Sequence, residues 1–383
     1  MMKKLLAFSL LLFLLLLSSA LCEEARDITS LAKIRISSGH RADMLDGNYR
    51  TRWEHMEKGA FARFTLPDDV PCAGVYLSFS KNTWKDYSVQ VMRDGKWETV
   101  FKPSFEVANQ FVPLSGATDF RVVGGKKGLA ISRVILFSDG ELPSYVNLFE
   151  PPCDTCDLLQ VVAHPDDEVI WFGGLLPTYA AQGKKIQVVF MTCGQSHRRN
   201  ELLDSLWTCG VRNAPIVFSL EDTNVDRSIA EALDRWGGRN YIVSLLVDTI
   251  RRFSPKVIVT QDISGEYGHL QHRATVSVVR QAFRIANDPA YTKSPYPPSA
   301  VQKVYLHLYR ENRIILDWNI PLDAFHGETS LEVAARAFLC HISQQRTGYH
   351  IENHGQYDNA VFGLYFSAVG PDVLGNDLFE HVE

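Results

Sequence analysis

Two rhythms of apolar and polar residues divide the chain. Between Ala25 and about Leu142, apolar positions alternate with polar ones in short runs: Phe61–Leu66, Val75–Phe79, Tyr87–Val91, Trp97–Phe101, Phe120–Val123 and Ile131–Phe137. Turn signals such as Asp94-Gly95 and Gly124-Gly125 separate these runs. A period of two bounded by turn residues predicts half-buried strands. Many such strands with no helix between them predict an all-β sandwich, jelly-roll-like in outline.

From Leu158 the rhythm changes. Leu158–Ala163 reads as a buried strand, followed by a helical segment from Val169 to about Gln182 that stops at Gly183. A strand at Lys185–Thr192 precedes a helix at Arg198–Cys209, which stops at Gly210. Pro215–Phe218, Tyr241–Phe253, Val257–Thr260 and His272–Ala286 continue the alternation of strand and helix. That order predicts an α/β Rossmann-like domain with a mostly parallel sheet. The expected organisation is a signal segment over residues 1–22, a sandwich over 23–147, a linker over 148–157 and the α/β domain over 158–383.

The first segment is read from its own pattern. Lys3 and Lys4 precede an apolar run from Leu5 to Leu17, and Ser18, Ser19 and Ala20 follow. This is the form of a secretory signal, with a core too short to span a bilayer comfortably. Cleavage after Ala20 or after Cys22 both fit, and a lipid anchor at Cys22 is the minority alternative, because Leu21 is larger than such a signal normally carries. The expectation is a secreted or extracytoplasmic protein with no membrane span after cleavage.

Composition adds little. Hydrophobic residues make up 46% and charged residues 22% of 383 positions, as in ordinary globular domains. The formal net charge is -5, and with no Lys/Arg stripe to offset it a nucleic-acid partner is excluded. Of seven cysteines, Cys153 and Cys156 are close enough for a local disulfide in an exported protein, or stay as two thiols. They lack the second CxxC that a four-thiolate zinc site needs.

The chemistry is concentrated at two strand ends. Leu158–Ala163 runs into His164-Pro165-Asp166-Asp167-Glu168, where open α/β sheets place ligands. So many polar groups are costly to desolvate without a partner, and imidazole with carboxylate suits Zn²⁺. Pro165 stiffens the turn, so that His164 and Asp167 can face one centre and Asp166 another direction. A second cluster, Gly265-Glu266-Tyr267-Gly268-His269-Leu270-Gln271-His272, follows Val257–Thr260. His269 and His272 stand three apart and can share a helical face, and one of them would complete a His/Asp/His site with an open position.

These residues carry a resemblance. Ala163-His-Pro-Asp-Asp-Glu168 with Gly268-His-Leu-Gln-His272, supported by Thr192-Cys-Gly194, Arg198-Arg-Asn-Glu201 and Tyr357–Tyr365, is similar to the PIG-L/LmbE-type zinc N-deacetylase family. The resemblance implies that His164, Asp167 and His272 bind zinc and that Asp166 is the general base. It also implies that His269 stabilises the developing oxyanion and that Arg198 contacts the substrate. Glu266 is placed with Arg198 at the substrate, and Glu266 or Asp262 is an expected support for His269. Glu168, Gln271 and Glu201 are expected behind the metal ligands, Glu201 as the ion-pair partner of Arg198. Gln271 stands where some members carry Asp, and Cys193-Gly194-Gln195 where many carry Asn-Gly-Glu.

The first domain resembles discoidin-type galactose-binding-like modules through Asp46-Gly47-Asn48, Thr51-Arg52-Trp53 and Ile131–Phe137. Such modules bind sugars through exposed aromatics, which nominates Trp84, and less strongly Trp53. The implied activity is removal of N-acetyl groups from an amino-sugar glycan or glycoconjugate. Hydrolysis of a non-sugar acylated amine, or an inactive glycan-binding protein, are the alternatives.

Overall fold

The computed structural model describes residues 23–383; the signal segment and Cys22 lie outside the described residues. Nine strands form the first domain: β1 (Lys33–Ile36), β2 (Trp53–His55), β3 (Phe61–Thr65), β4 (Cys72–Phe79), β5 (Tyr87–Arg93), β6 (Lys96–Phe101), β7 (Asn109–Ala117), β8 (Asp119–Gly124) and β9 (Leu129–Phe137). They pair antiparallel into two sheets, β1-β3-β8-β5-β6 and β2-β9-β4-β7. Alternation drives the arrangement: β3, β5 and β8 each bury every second residue, and Phe64 stacks on Phe120 with ring centroids 5.1 Å apart. The six predicted runs are all strands. β7 escapes the pattern because Pro113, Ser115 and Gly116 interrupt it, which its place at a sheet edge tolerates.

The second domain is an α/β layer structure. Its strands are β10 (Leu158–Val162), β11 (Ile186–Thr192), β12 (Ile216–Leu220), β13 (Val257–Thr260), β14 (Lys303–His307), β15 (Arg313–Ile315) and β16 (Val361–Ser367). Helices α1 (Asp167–Ile170), α2 (Leu175–Ala181), α3 (Ser196–Thr208), α4 (Ile229–Arg235), α5 (Arg239–Phe253), α6 (Leu270–Asn287) and α7 (Ser330–Leu339) accompany them. The sheet order is β12-β11-β10-β13-β14-β16-β15. The first five strands are parallel, and β16 and β15 close one edge antiparallel. β10, β11, β13 and β14 are buried along their whole length, as strands covered on both faces must be.

One expected helix is broken. The segment read as Val169 to Gln182 divides into α1 and α2 around Trp171–Gly174. Gly173 takes φ +48°, and a side chain there or at Gly174 would collide with Asn359 or Ser330 from the C-terminal part of the chain. The break turns the Trp171 indole back onto Asp167, Nε1 to Oδ1 at 2.9 Å.

The two domains meet along α3. Tyr49 Oη donates to Asp204 Oδ2 at 2.7 Å, Asn200 Nδ2 to Asn109 Oδ1 at 2.7 Å, and Ser80 Oγ to Ser196 Oγ at 2.9 Å. Buried apolar residues run without interruption from one domain into the other. Trp53 and Trp84 belong to that core at 1% and 2% exposure. Neither is free to stack on a sugar, which corrects the expectation for Trp84.

Candidate active site

The parallel strands β10 to β14 end on one edge of the sheet, and the polar residues gather there. His164 to Glu168 leave β10, and Gln261 to His269 connect β13 to α6, whose first turn carries Gln271 and His272. His307 is the last residue of β14, and Glu221 and Asp222 follow β12. The turn after β10 is strained. Asp166 has φ +108° and ψ −31°, a conformation that costs a non-glycine residue about 1–3 kcal/mol. Glu168 holds it: Oε2 accepts the Asp166 N–H at 2.7 Å, while Oε1 takes Ser205 Oγ at 2.7 Å and His341 Nε2 at 2.6 Å.

Three ligand-bearing side chains converge beside this turn. His164 Nδ1 lies 3.1 Å from His272 Nε2 and 3.2 Å from Asp167 Oδ2, and His272 Nε2 lies 3.3 Å from Asp167 Oδ1. A tetrahedral ion with bonds of about 2 Å spaces its ligands about 3.3 Å apart, so the set fits a small divalent cation. The far nitrogens are also committed. His164 Nε2 donates to Gln271 Oε1 at 2.8 Å, and His272 Nδ1 to Glu266 Oε2 at 2.6 Å. In the neutral ring each bond leaves a lone pair on the nitrogen that faces the centre. His269 brings a nitrogen within 4.8 Å of the other two rings, so His164, His269 and His272 also form a group that can hold a metal. The His164/Asp167/His272 spacing is the tighter one.

Charge follows the same division. Burial works to raise the Asp167 carboxyl, but His272 and His164 outweigh it and hold it well below the usual range. Burial likewise opposes charge on His272, yet Asp167 and Glu266 raise that ring to about 10. Asp166 goes the other way: burial pushes it up to about 7, against the pull of Arg198. His269 is brought down to about 3 by burial and by its neighbours His164 and His272. It caps the N-terminus of α6, accepting the Gln271 N–H on Nδ1 at 3.2 Å. A neutral ring that accepts on Nδ1 carries its proton on Nε2.

Around these groups lies a pocket of about 140 Å³, walled by Trp171, Tyr267 and Tyr349 and floored by the His164–Asp167 turn. Arg198 enters from α3. It donates to Asp222 Oδ2 at 2.9 Å, to Asp166 Oδ1 at 3.3 Å and to the Pro165 carbonyl.

Several expected roles move. Glu266 is not at the substrate: its side chain is fully enclosed and accepts from both His272 and His307 Nδ1, the latter at 3.0 Å. Its hydrogen bond therefore goes to His272, while it acts on His269 through charge alone, and Asp262 meets it through a backbone N–H. Gln271 serves His164, its orientation set by Nε2 donating to the Glu221 carbonyl at 2.9 Å. Glu201 accepts from Ser343 N and Oγ at 3.0 and 2.6 Å and leaves Arg198 to Asp222. His269 caps α6 and does not share a helical face with His272. Gln261, which donates to Asp167 Oδ2 at 2.9 Å, and His307 escaped sequence reading, although both sit at strand ends, which was the available signal. His341, which the sequence alone marks as a surface or packing histidine, is enclosed against Glu168.

With this geometry in view, residues 159–283 match the model of the PIG-L family, described as GlcNAc-PI de-N-acetylase. The chain is 30% identical over 175 residues to 1D-myo-inositol 2-acetamido-2-deoxy-alpha-D-glucopyranoside deacetylase 2 of Saccharopolyspora erythraea, covering 38% of this chain and 62% of that protein. It therefore spans less than two thirds of that relative. A solved N,N'-diacetylchitobiose deacetylase from Pyrococcus horikoshii, complexed with its inhibitor MPG, is similar at 20% identity and a TM-score of 0.37, over 52% of this chain and 75% of that one. Chitosan-binding module 1 from a chitosanase/glucanase of Paenibacillus sp. IK-5 is similar at 19% identity and a TM-score of 0.26, over 29% of this chain and 98% of that one.

Proposed function

We propose that the protein is a zinc-dependent N-deacetylase that removes an acetyl group from an amino sugar. The observation that carries the reading is the spacing of His164 Nδ1, Asp167 and His272 Nε2, with Asp166 and His269 beside them at one pocket. The match of residues 159–283 and the deacetylase relative support it.

His164, Asp167 and His272 would hold the zinc, fixed from behind by Gln271, Gln261 and Glu266. When bound, the ion polarises the amide carbonyl and lets water lose a proton near neutral pH. Asp166 accepts that proton and returns it to the amide nitrogen, without which the amine cannot leave. The Nε2–H of His269 donates to the carbonyl oxygen as it gains negative charge. Arg198 and Asp222, paired with each other, present donors and acceptors to sugar hydroxyls. Trp171, Tyr267 and Tyr349 offer apolar ring faces to the sugar and limit the entry of water.

The same reading makes the protein an exported one, on the strength of Lys3 to Ala20, and makes the sandwich a discoidin-type module. No helix among the described residues is long and apolar enough to cross a membrane.

The test compares the wild-type protein with Asp166→Ala for bound zinc and for acetate released from a panel of N-acetylated sugars and acylated amines. Zinc is expected to stay and turnover on the sugars to fall about 10²–10⁴-fold. Unchanged turnover overturns the role of Asp166, and turnover confined to the non-sugar amines overturns the substrate class.

A further inference from the structure

The pocket at the strand ends is small. Its volume of about 140 Å³ is below the roughly 300–1,000 Å³ of sites that enclose a drug-sized ligand. It has room for the reacting end of a substrate, and anything attached must lie outside. A second cleft, of about 440 Å³, opens beside it. One wall is the sandwich loop after β4, with Lys81, Asn82 and Trp84. The other wall comes from the loops after β11 and β12, with Gln195 and Asp222, and from Arg199 on α3.

Asp222 lines both spaces. Its Oδ2 accepts from Arg198 at 2.9 Å, and its Oδ1 stands 3.8 Å from His164 Nε2. At the junction Gly194 has φ +61°, and a side chain there would come within 2.6 Å of Asp222 Oδ2. Glycine thus leaves room for Asp222 to stand where the two spaces meet. The walls are also held in place, because the loop carrying Lys81 is joined to α3 by the bond from Ser80 Oγ to Ser196 Oγ at 2.9 Å. Lys81 and Asn82 both take positive φ, +52° and +58°, so the loop pays local strain to present this edge.

The chemistry of the walls identifies the kind of occupant. Lys81 Nζ binds Glu54 at 2.8 Å, while the Arg199 guanidinium lies 4.9 Å over the Trp84 ring, donates to Ser219 Oγ at 2.7 Å and shares the cleft with the carboxylates of Glu221 and Asp222. The exposed side-chain amides of Asn82 and Gln195, one on each wall, make no hydrogen bond to another described residue. Neutral amides offer both donors and acceptors. That suits an uncharged polyhydroxylated chain and gives little hold on a polyanion.

We propose that this interdomain cleft is a saccharide subsite, holding the sugars adjacent to the one that loses its acetyl group. The preferred substrate is then an oligosaccharide or glycan chain, and the sandwich contributes through the loop at Lys81–Asn82 and not through an exposed tryptophan. The inference rests on the pocket being an amino-sugar deacetylase site. Contacts remote from the reacting bond raise kcat/KM when they persist in the transition state.

The test uses the zinc-loaded full chain with N-acetylglucosamine and its β-1,4-linked dimer and tetramer, each fully N-acetylated. In the wild type kcat/KM is expected to rise at least about tenfold from monomer to tetramer. In the double variant Asn82→Gly, Gln195→Ala that ratio is expected to fall below about twofold; glycine keeps the positive φ of position 82. A flat length dependence in the wild type, or an unchanged ratio in the variant, overturns the subsite. If no sugar releases acetate, the reading of the pocket has failed, and calorimetry of the tetramer on metal-free protein judges the cleft by itself. Binding weakened at least about fivefold by the double variant sustains the subsite, and no binding at millimolar tetramer overturns it.

Discussion

The two domains use their aromatic residues in opposite ways. In the sandwich, Trp53, Phe64, Phe79, Trp84 and Phe120 all turn inward and hold two antiparallel sheets together. In the α/β domain, Trp171, Tyr267 and Tyr349 stand around an opening, with ring centroids 5.5–5.9 Å apart. Connectivity accounts for the contrast. Antiparallel strands end alternately at both rims of a sandwich, so no single edge collects functional groups. Five parallel strands all end on one edge, and the loops leaving them can bring His164, Asp222, Gln261, His272 and His307 together. The sandwich reaches this edge only with the loop after β4, where it packs on α3.

The largest test of this contrast removes one of the proposed metal ligands. His272→Gln takes one nitrogen from the centre and removes one of the two imidazoles, His272 and His307, that Glu266 accepts from. Substitutions behind the ligands of metal sites already cost about 10–100-fold in affinity or activity, so the loss here is expected to exceed about 1,000-fold in acetate release. Metal content measured by mass spectrometry is expected to fall from near one zinc per chain to near zero. Zinc retained at full occupancy would move the ligand set to His164, His269 and another partner.

The next effect is on stability and comes from outside the matched segment. His341 is enclosed against Glu168, and Glu168 holds the strained turn at Asp166. Removing one partner of a buried pair costs about 3–5 kcal/mol, so His341→Ala is expected to lower the unfolding free energy by that order. Burial opposes charge on His341, but Glu168 outweighs it and raises its pKa. Its contribution is therefore complete below about pH 6.5, the value in the unfolded chain, and is lost as pH rises through the raised value. Urea titrations of wild type and variant should differ most at about pH 6 and converge at higher pH. A gap independent of pH would show that His341 acts by packing and not by charge.

Both strand-end motifs were legible in the sequence because their residues are contiguous and chemically costly to bury. Alternation likewise revealed six of the nine sandwich strands. What stayed hidden depends on segments far apart in the chain. Glu266 could be placed at the substrate only while its neighbour His307, forty-one residues on, was unseen. Gln271 could be placed behind the metal ligands, but spacing does not show that its amide turns toward His164. The break after Ile170 did carry a local signal, the Gly173-Gly174 pair, and only the contacts with Asn359 and Ser330 show why both positions must be glycine. Trp84 sits in a polar stretch, and its place in the core, with the Arg199 guanidinium 4.9 Å over its ring, joins segments far apart in the chain.

The smallest predicted effect asks whether the domains act as one body. Tyr49 Oη donates to Asp204 Oδ2 across the interface at 2.7 Å, and Asp204 Oδ1 also accepts from Asn109 at 3.2 Å. Tyr49→Phe deletes one donor and leaves the ring in place. Hydrogen bonds to charged groups are worth about 1.5–3 kcal/mol, and the remaining bond from Asn109 keeps the loss at the lower end. Because the apolar core is continuous through both domains, that loss is expected to shift one cooperative unfolding transition seen equally by fluorescence and circular dichroism. Two separated transitions, with Tyr49→Phe moving only the first, would mean that the sandwich unfolds independently. The loop at Lys81–Asn82 would then be an adjustable wall of the cleft and not a fixed one.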